Sequence, residues 1–133
     1  MQSEFTIPTI TVDEHNASVF GSECYPASWR SNLLLSEQVP ALNFRWRASA
    51  AAYSSQWHVA GDPTLIIVLT GVLRIILRDG TYRDFGAGER FIAKDFLPSA
   101  CDFDNLRHGH RAEVLGDAPL EAIHIKLSVL NQE

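Results

Sequence analysis

Between Leu65 and Phe85 the sequence leaves room for little except paired strands. Leu65-Ile66-Ile67-Val68-Leu69 is a short run rich in β-branched residues, the signature of a strand buried on both faces. Gly71 marks a turn or bulge. Val72 to Arg78 then alternates, with Leu73, Ile75 and Leu77 on one face and Arg74 and Arg78 on the other. Asp79-Gly80 predicts a tight primed hairpin turn, whose two central residues both need positive φ. Leu65 to Leu77 could also line a buried helix, but the β-branched content and the Asp-Gly turn decide for strands.

The same rhythm extends in both directions. Upstream, Asn43 to Ala48 alternates, placing Phe44 and Trp46 on one face and Arg45 and Arg47 on the other. Downstream, Thr81 to Phe85 returns, Gly86-Ala87-Gly88 turns, and Arg90 to Ala93 starts another strand. Ala112 to Leu115 and Leu120 to Leu127, around Gly116-Asp117-Ala118-Pro119, predict a last hairpin. Several short strands separated by glycine turns make an all-β sandwich or barrel.

At 133 residues the chain is one domain's worth. We read residues 1–41 as an N-terminal arm packing on the barrel or on a partner subunit, and residues 42–133 as the barrel. Turn signals at Gly21-Ser22 and Tyr25-Pro26 punctuate the arm. Pro8 and Pro40 point to edges or connections rather than strand centres. Ser99 to Gly109 has few apolar anchors and reads as a surface loop, a candidate lid over the barrel mouth.

The formal charge is −5, from 11 Lys and Arg against 16 Asp and Glu, and no basic run occurs. Nucleic acid and anionic membrane surfaces are therefore not expected partners. Met1 to Thr11 lacks the pattern of a signal peptide. Cys24 and Cys101 stand far apart in no metal-ligand spacing, which reads as two free thiols and a cytoplasmic location, with a disulfide as the alternative.

Two short motifs then stand out together. Trp57-His58 precedes a strand that ends at Gly71, and Gly109-His110 opens a strand after the long loop. With these residues, the stretch from about Leu42 to Leu127 resembles a cupin. In the first cupin motif (His-x-His, a few residues, Glu, six residues, Gly), His58 takes the first His, Ala60 the second, Thr64 the Glu and Gly71 the Gly. In the second, Gly88 takes the Gly and His110 the His, while Lys94 to Gly109 replaces the usual Pro-x-Gly. More narrowly, Trp57-His58, Asp95, Gly109-His110 and Ile123-His124 resemble a subgroup of small cupins, and Gly61-Asp62-Pro63 departs from its pattern. The resemblance implies a single-domain cupin (jelly-roll, double-stranded β-helix) barrel, commonly a homodimer that exchanges N-terminal strands. It implies no single reaction.

Within that frame His58, His110 and Asp95 are the candidate catalytic groups. A histidine titrates near neutral pH and can move a proton on carbon or oxygen, as in cupin-type epimerases. Phe44, Trp46, Trp57, Phe96 and His124 are the candidate ligand-binding residues. The leading expectation is a small-molecule enzyme of isomerase, epimerase, lyase or cyclase type. A metal-dependent cupin such as a dioxygenase is the alternative, and a non-catalytic ligand-binding cupin is the third reading. No metal is favoured, because Ala60 and Thr64 cannot supply the family's usual ligands. If Fe, Mn, Ni or Zn were bound, His58 and His110 would hold it with Asp95 or His124. Each residue also has a plainer role open to it. The histidines could be hydrogen-bonded structural groups, Asp95 a turn cap, Trp46 and Trp57 core residues, and Arg45 and Arg47 a wet face. His15 and His108 read as solvated.

Overall fold

The computed structural model describes residues 2–128. Ten strands run in chain order: β1 (Glu4–Val12), β2 (Ser18–Arg30), β3 (Leu33–Ser36), β4 (Ala41–Ser49), β5 (Thr64–Thr70), β6 (Val72–Ile76), β7 (Tyr82–Phe85), β8 (Arg90–Ala93), β9 (Arg111–Leu115) and β10 (Leu120–Leu127). They form a seven-stranded sheet, β3-β2-β1-β8-β5-β10-β4, and a three-stranded sheet, β7-β6-β9. All pairs are antiparallel except β1 with β8. This is an all-β jelly-roll sandwich.

Side-chain alternation decides what each sheet buries. In the large sheet Ile10, Ile66, Val68, Phe91, Leu120 and Ala122 point inward and meet Leu73, Ile75, Phe85 and Val114 of the small sheet. Ile10 and Val68 are fully buried and Phe91 is 1% exposed. Each such side chain stabilises the fold by about 1.5–3 kcal/mol through loss of apolar contact with water.

Four sequence expectations need correction. The β6–β7 connection is not a primed two-residue turn. Gly80 N–H donates to Leu77 O at 3.0 Å and Leu77 N–H to Thr81 O at 2.9 Å, and of the loop residues only Gly80 has positive φ. That is a type I turn closed by a glycine bulge. Asp79 locks it by accepting from Thr81 N–H and Oγ1–H at 3.0 and 2.7 Å.

The expected hairpin of β9 and β10 is absent. β9 pairs with β6 in the small sheet, while β10 pairs with β4 and β5 in the large one. The Gly116 to Pro119 turn therefore carries the chain between layers.

The turn signals at Gly21-Ser22 and Tyr25-Pro26 are overridden, because β2 runs through them in register with β1. Pro8 likewise lies inside β1, where pairing to β8 begins only at Thr9. β1 and β2 thus form part of the large sheet, and Ile10 and Ser18 contribute to its buried side.

Candidate functional site

The site is built where the β4–β5 connection meets the segment entering β9. His58 and His110 form an isolated antiparallel bridge, with His58 N–H donating to His110 O at 3.0 Å and His110 N–H to His58 O at 2.9 Å. The bridge places the two imidazoles side by side, centroids 4.5 Å apart and planes tilted by 55°. Gly109 permits it. Its φ is +90°, and a β-carbon there would lie 2.5 Å from the His58 carbonyl oxygen.

Asp95, two residues beyond the end of β8, reaches the pair from below and is fully buried. Its Oδ2 accepts from His110 Nδ1–H at 2.7 Å and from Ser18 Oγ–H at 2.5 Å, and its Oδ1 accepts from Ala60 N–H at 3.1 Å. Burial opposes the charge on this carboxylate, but the hydrogen bonds from His110, Ser18 and the Ala60 amide outweigh it and hold its pKa below the usual range. An ionised Asp95 fixes the proton of His110 on Nδ1 and leaves the Nε2 lone pair free.

His58 is oriented by its own chain, its Nδ1 lying 2.9 Å from Gln56 O. The ring is open to solvent on one side. Even so, desolvation leads the causes that lower its pKa, followed in that direction by the charges of His110 and Arg47. His58 is thus neutral at neutral pH, with Nε2 as acceptor.

His124 lies on β10 opposite Arg45, half-buried on the inward face. Desolvation and the charges of Arg47 and Arg45 push its pKa down to about 4. Arg45, Arg47, Asn43, Thr64, His124 and Lys126 line an open cleft of about 580 Å³.

The remaining sequence candidates are dispersed. Phe44 and Trp46, read as pocket walls, alternate to the opposite face of β4 from Arg45 and Arg47, 59% and 69% exposed, and pack edge to face on one another at 5.2 Å; Trp46 also lines the rim of the 580 Å³ cleft. Strand alternation separates the two faces, but the charged face turned inward and the aromatic one outward. Trp57 is engaged by Arg78, whose guanidinium lies 3.9 Å from its ring centre. Phe96 follows Asp95 and is half-buried. A separate apolar hollow of about 360 Å³, lined by Phe5, Ile7, Tyr25, Leu65 and Ile92 among others, opens on the outer side of the sheet.

Within the long loop, His108 is buried at 4% exposure rather than solvated. Its Nδ1 accepts from Asp104 N–H at 2.9 Å, and Arg78 grips its carbonyl at 3.0 Å. The 104–108 end of the loop is therefore anchored. Ser18 is a site residue that sequence reasoning missed. A serine at a strand start carries no signal of its own, and only the pairing of β1 with β2 and β8 brings it under Asp95.

A metal centre was the alternative chemistry. Both carboxylate oxygens of Asp95 are occupied by protein donors, so it supports His110 rather than offering a third ligand. Among the described residues no three His, Cys, Asp or Glu side chains converge as a ligand set. The donors present do not fit a transition-metal site of the expected kind.

No protein-family model matches the chain, and no curated protein matches it by sequence. Several solved structures are similar to it in outline. A cupin superfamily protein from Desulfitobacterium hafniense DCB-2 shares 17% identity at a TM-score of 0.46, over 77% of this chain and 84% of that one. The cupin domain of Schizosaccharomyces pombe Cnp3 shares 8% at 0.48, over 97% and 86%. A cupin domain from Bordetella pertussis Tohama I shares 11% at 0.44, over 97% and 99%. Function does not travel across such distances on fold alone.

Proposed function

We propose that this cupin-type jelly roll is an enzyme that moves a proton on a small molecule, with His110 and His58 as its acid/base pair. One observation carries the reading: a fully buried aspartate 2.7 Å from His110 Nδ1, beside a second imidazole 4.5 Å away. A structural histidine needs its nitrogens satisfied, yet His110 Nε2 has no protein partner. Since no occluded side-chain polar atom among the described residues lacks one, that nitrogen keeps access to solvent.

In this reading His110 Nε2 takes the proton from substrate, and Asp95 balances the positive charge that develops on the ring. Two imidazolium rings at this separation would repel, so only one of the pair takes up the substrate proton, and the carboxylate behind His110 favours that ring. His58 stays neutral and accepts a hydrogen bond from a substrate donor. Isomerase, epimerase, lyase and cyclase reactions all share this step.

The test is solvent-deuterium wash-in. Wild type, His110→Gln, His58→Gln and Asp95→Asn are incubated in heavy water with pooled small C–H acids, with and without a chelator. The expected result is incorporation at one carbon of one compound, lost in His110→Gln and indifferent to the chelator. Wash-in that survives His110→Gln, or that stops with the chelator, would overturn the reading, as would none with wild type.

A further inference from the structure

The inward face of β4 carries charge that the histidine pair does not explain. Arg45 and Arg47 stand two residues apart on that face, in register with His124 and Ala122 of β10. Three arginines are held by protein acceptors: Arg74 by Asp84, Arg78 by the carbonyls of Asn105 and His108, Arg111 by Glu113. Arg45 and Arg47 are among those that are not, and they are the two that stand side by side in a cleft. No acidic group among the described residues lies within ion-pair distance of Arg45 or Arg47. Lys126, in the same cleft, meets Asp62 at 3.4 Å. The cleft thus gathers three cations against one carboxylate in a chain whose formal charge is −5.

Repulsion between neighbouring guanidiniums is normally relieved by protein carboxylates, and here it is left open toward solvent. Guanidinium forks match carboxylates with two parallel hydrogen bonds, and a concave cationic wall steers anions in. Asn43 and Thr64 add neutral polar groups, and His124 adds an imidazole that stays uncharged. We infer that the cleft between Arg45, Arg47 and His124 is an anion site that takes a carboxylate. The inference does not depend on the proposed function.

His124 is a built-in reporter. Its pKa is held down by burial first and then by the charges of Arg47 and Arg45, so an anion that offsets those charges raises it. Lys126 and its partner Asp62 are the other charges in the cleft, and both are common to all samples. Benzoate and succinate are titrated into protein labelled with nitrogen-15 histidine, with benzamide and inorganic phosphate as controls. At least one carboxylate should saturate below about 10 mM, the range of weak specific binding, and raise the His124 pKa. The Arg45→Gln/Arg47→Gln variant, confirmed folded by circular dichroism, should bind at least about tenfold more weakly, a loss of 1.4 kcal/mol. Arg47→Lys should keep part of the affinity. His110→Gln should bind as wild type, which separates this site from the proton-transfer reading. Absence of saturation by both carboxylates, equal binding of benzamide, saturation by phosphate alone, or undiminished binding to the double variant would each overturn the proposal.

Discussion

Gly109 lies flat against the backbone of His58, so close that a β-carbon on it would stand 2.5 Å from the His58 carbonyl oxygen and 2.8 Å from the carbonyl carbon. The obstacle is backbone, which cannot swing aside as a side chain would, and the φ of +90° adds strain for any L side chain. Gly109→Ala should therefore cost about 2–4 kcal/mol and separate the two imidazoles. Urea unfolding reads the first effect and wash-in the second. A variant as stable and active as wild type would mean that the bridge is not what aligns the rings.

Asp95 and Ser18 separate support from chemistry. Ser18→Ala removes one hydrogen bond to a buried charge and should cost about 1.5–3 kcal/mol while wash-in persists, because His110 still holds Asp95. Asp95→Asn breaks a buried pair, should cost about 3–5 kcal/mol, and should also lose wash-in. Equal losses of activity in the two variants would contradict this division.

The pH dependence of stability follows from the two histidines whose pKa falls on folding. His58 and His124 bind protons less readily in the folded chain than in the unfolded one. Stability is then fully present above their unfolded pKa of about 6.5 and is lost as pH falls toward the folded values, about 4 for His124. Asp95, also depressed, adds its own loss only as pH falls below the unfolded carboxylate value of 3.8. Because His124 is half-exposed and solvent screens the arginines, its share is about 1–2 kcal/mol. Thermal melts from pH 7.5 to 4.5 should show the decline, and His124→Gln should flatten it. An unchanged slope in that variant would exclude His124 as a source.

Much of this could be read from the chain. The β-branched run and the Asp-Gly reversal specify β5, β6 and β7, because propensity and period agree there, although the turn itself takes a type I form with a glycine bulge. His58, Asp95 and His110 stand out in sequence, and the fold brings them together. What was illegible depends on partners distant in the chain. Alternation divides β4 into an aromatic and an arginine face but cannot say which turns inward; β10 and β5 decide that. Ser18, the burial of His108 and the crossing from β9 to β10 have no local signature. The extended course of β2 through Gly21 to Pro26 comes from pairing with β1 overriding turn propensity.

The outer face of β4 bears on the homodimer expected from the sequence. Leu42, Phe44 and Trp46 are 60%, 59% and 69% exposed on a strand that, among the described residues, is paired on one side only. Such an edge invites pairing with a second copy. The proposal is an isologous contact of β4 with β4, in which Leu42→Glu shifts the protein from dimer to monomer in sedimentation while wash-in survives. A wild-type monomer at tens of micromolar, about the range where weak pairs form, would refute it.

The central claim is that Asp95 holds His110 with its proton on Nδ1 and its Nε2 lone pair free. Long-range nitrogen-15 correlation spectra of the histidine rings at pH 7.5 test it directly. The account predicts a protonated Nδ1 and an unprotonated Nε2 on His110, with the pattern lost in Asp95→Asn. A His110 protonated on Nε2 alone, or a tautomer indifferent to Asp95→Asn, would contradict it.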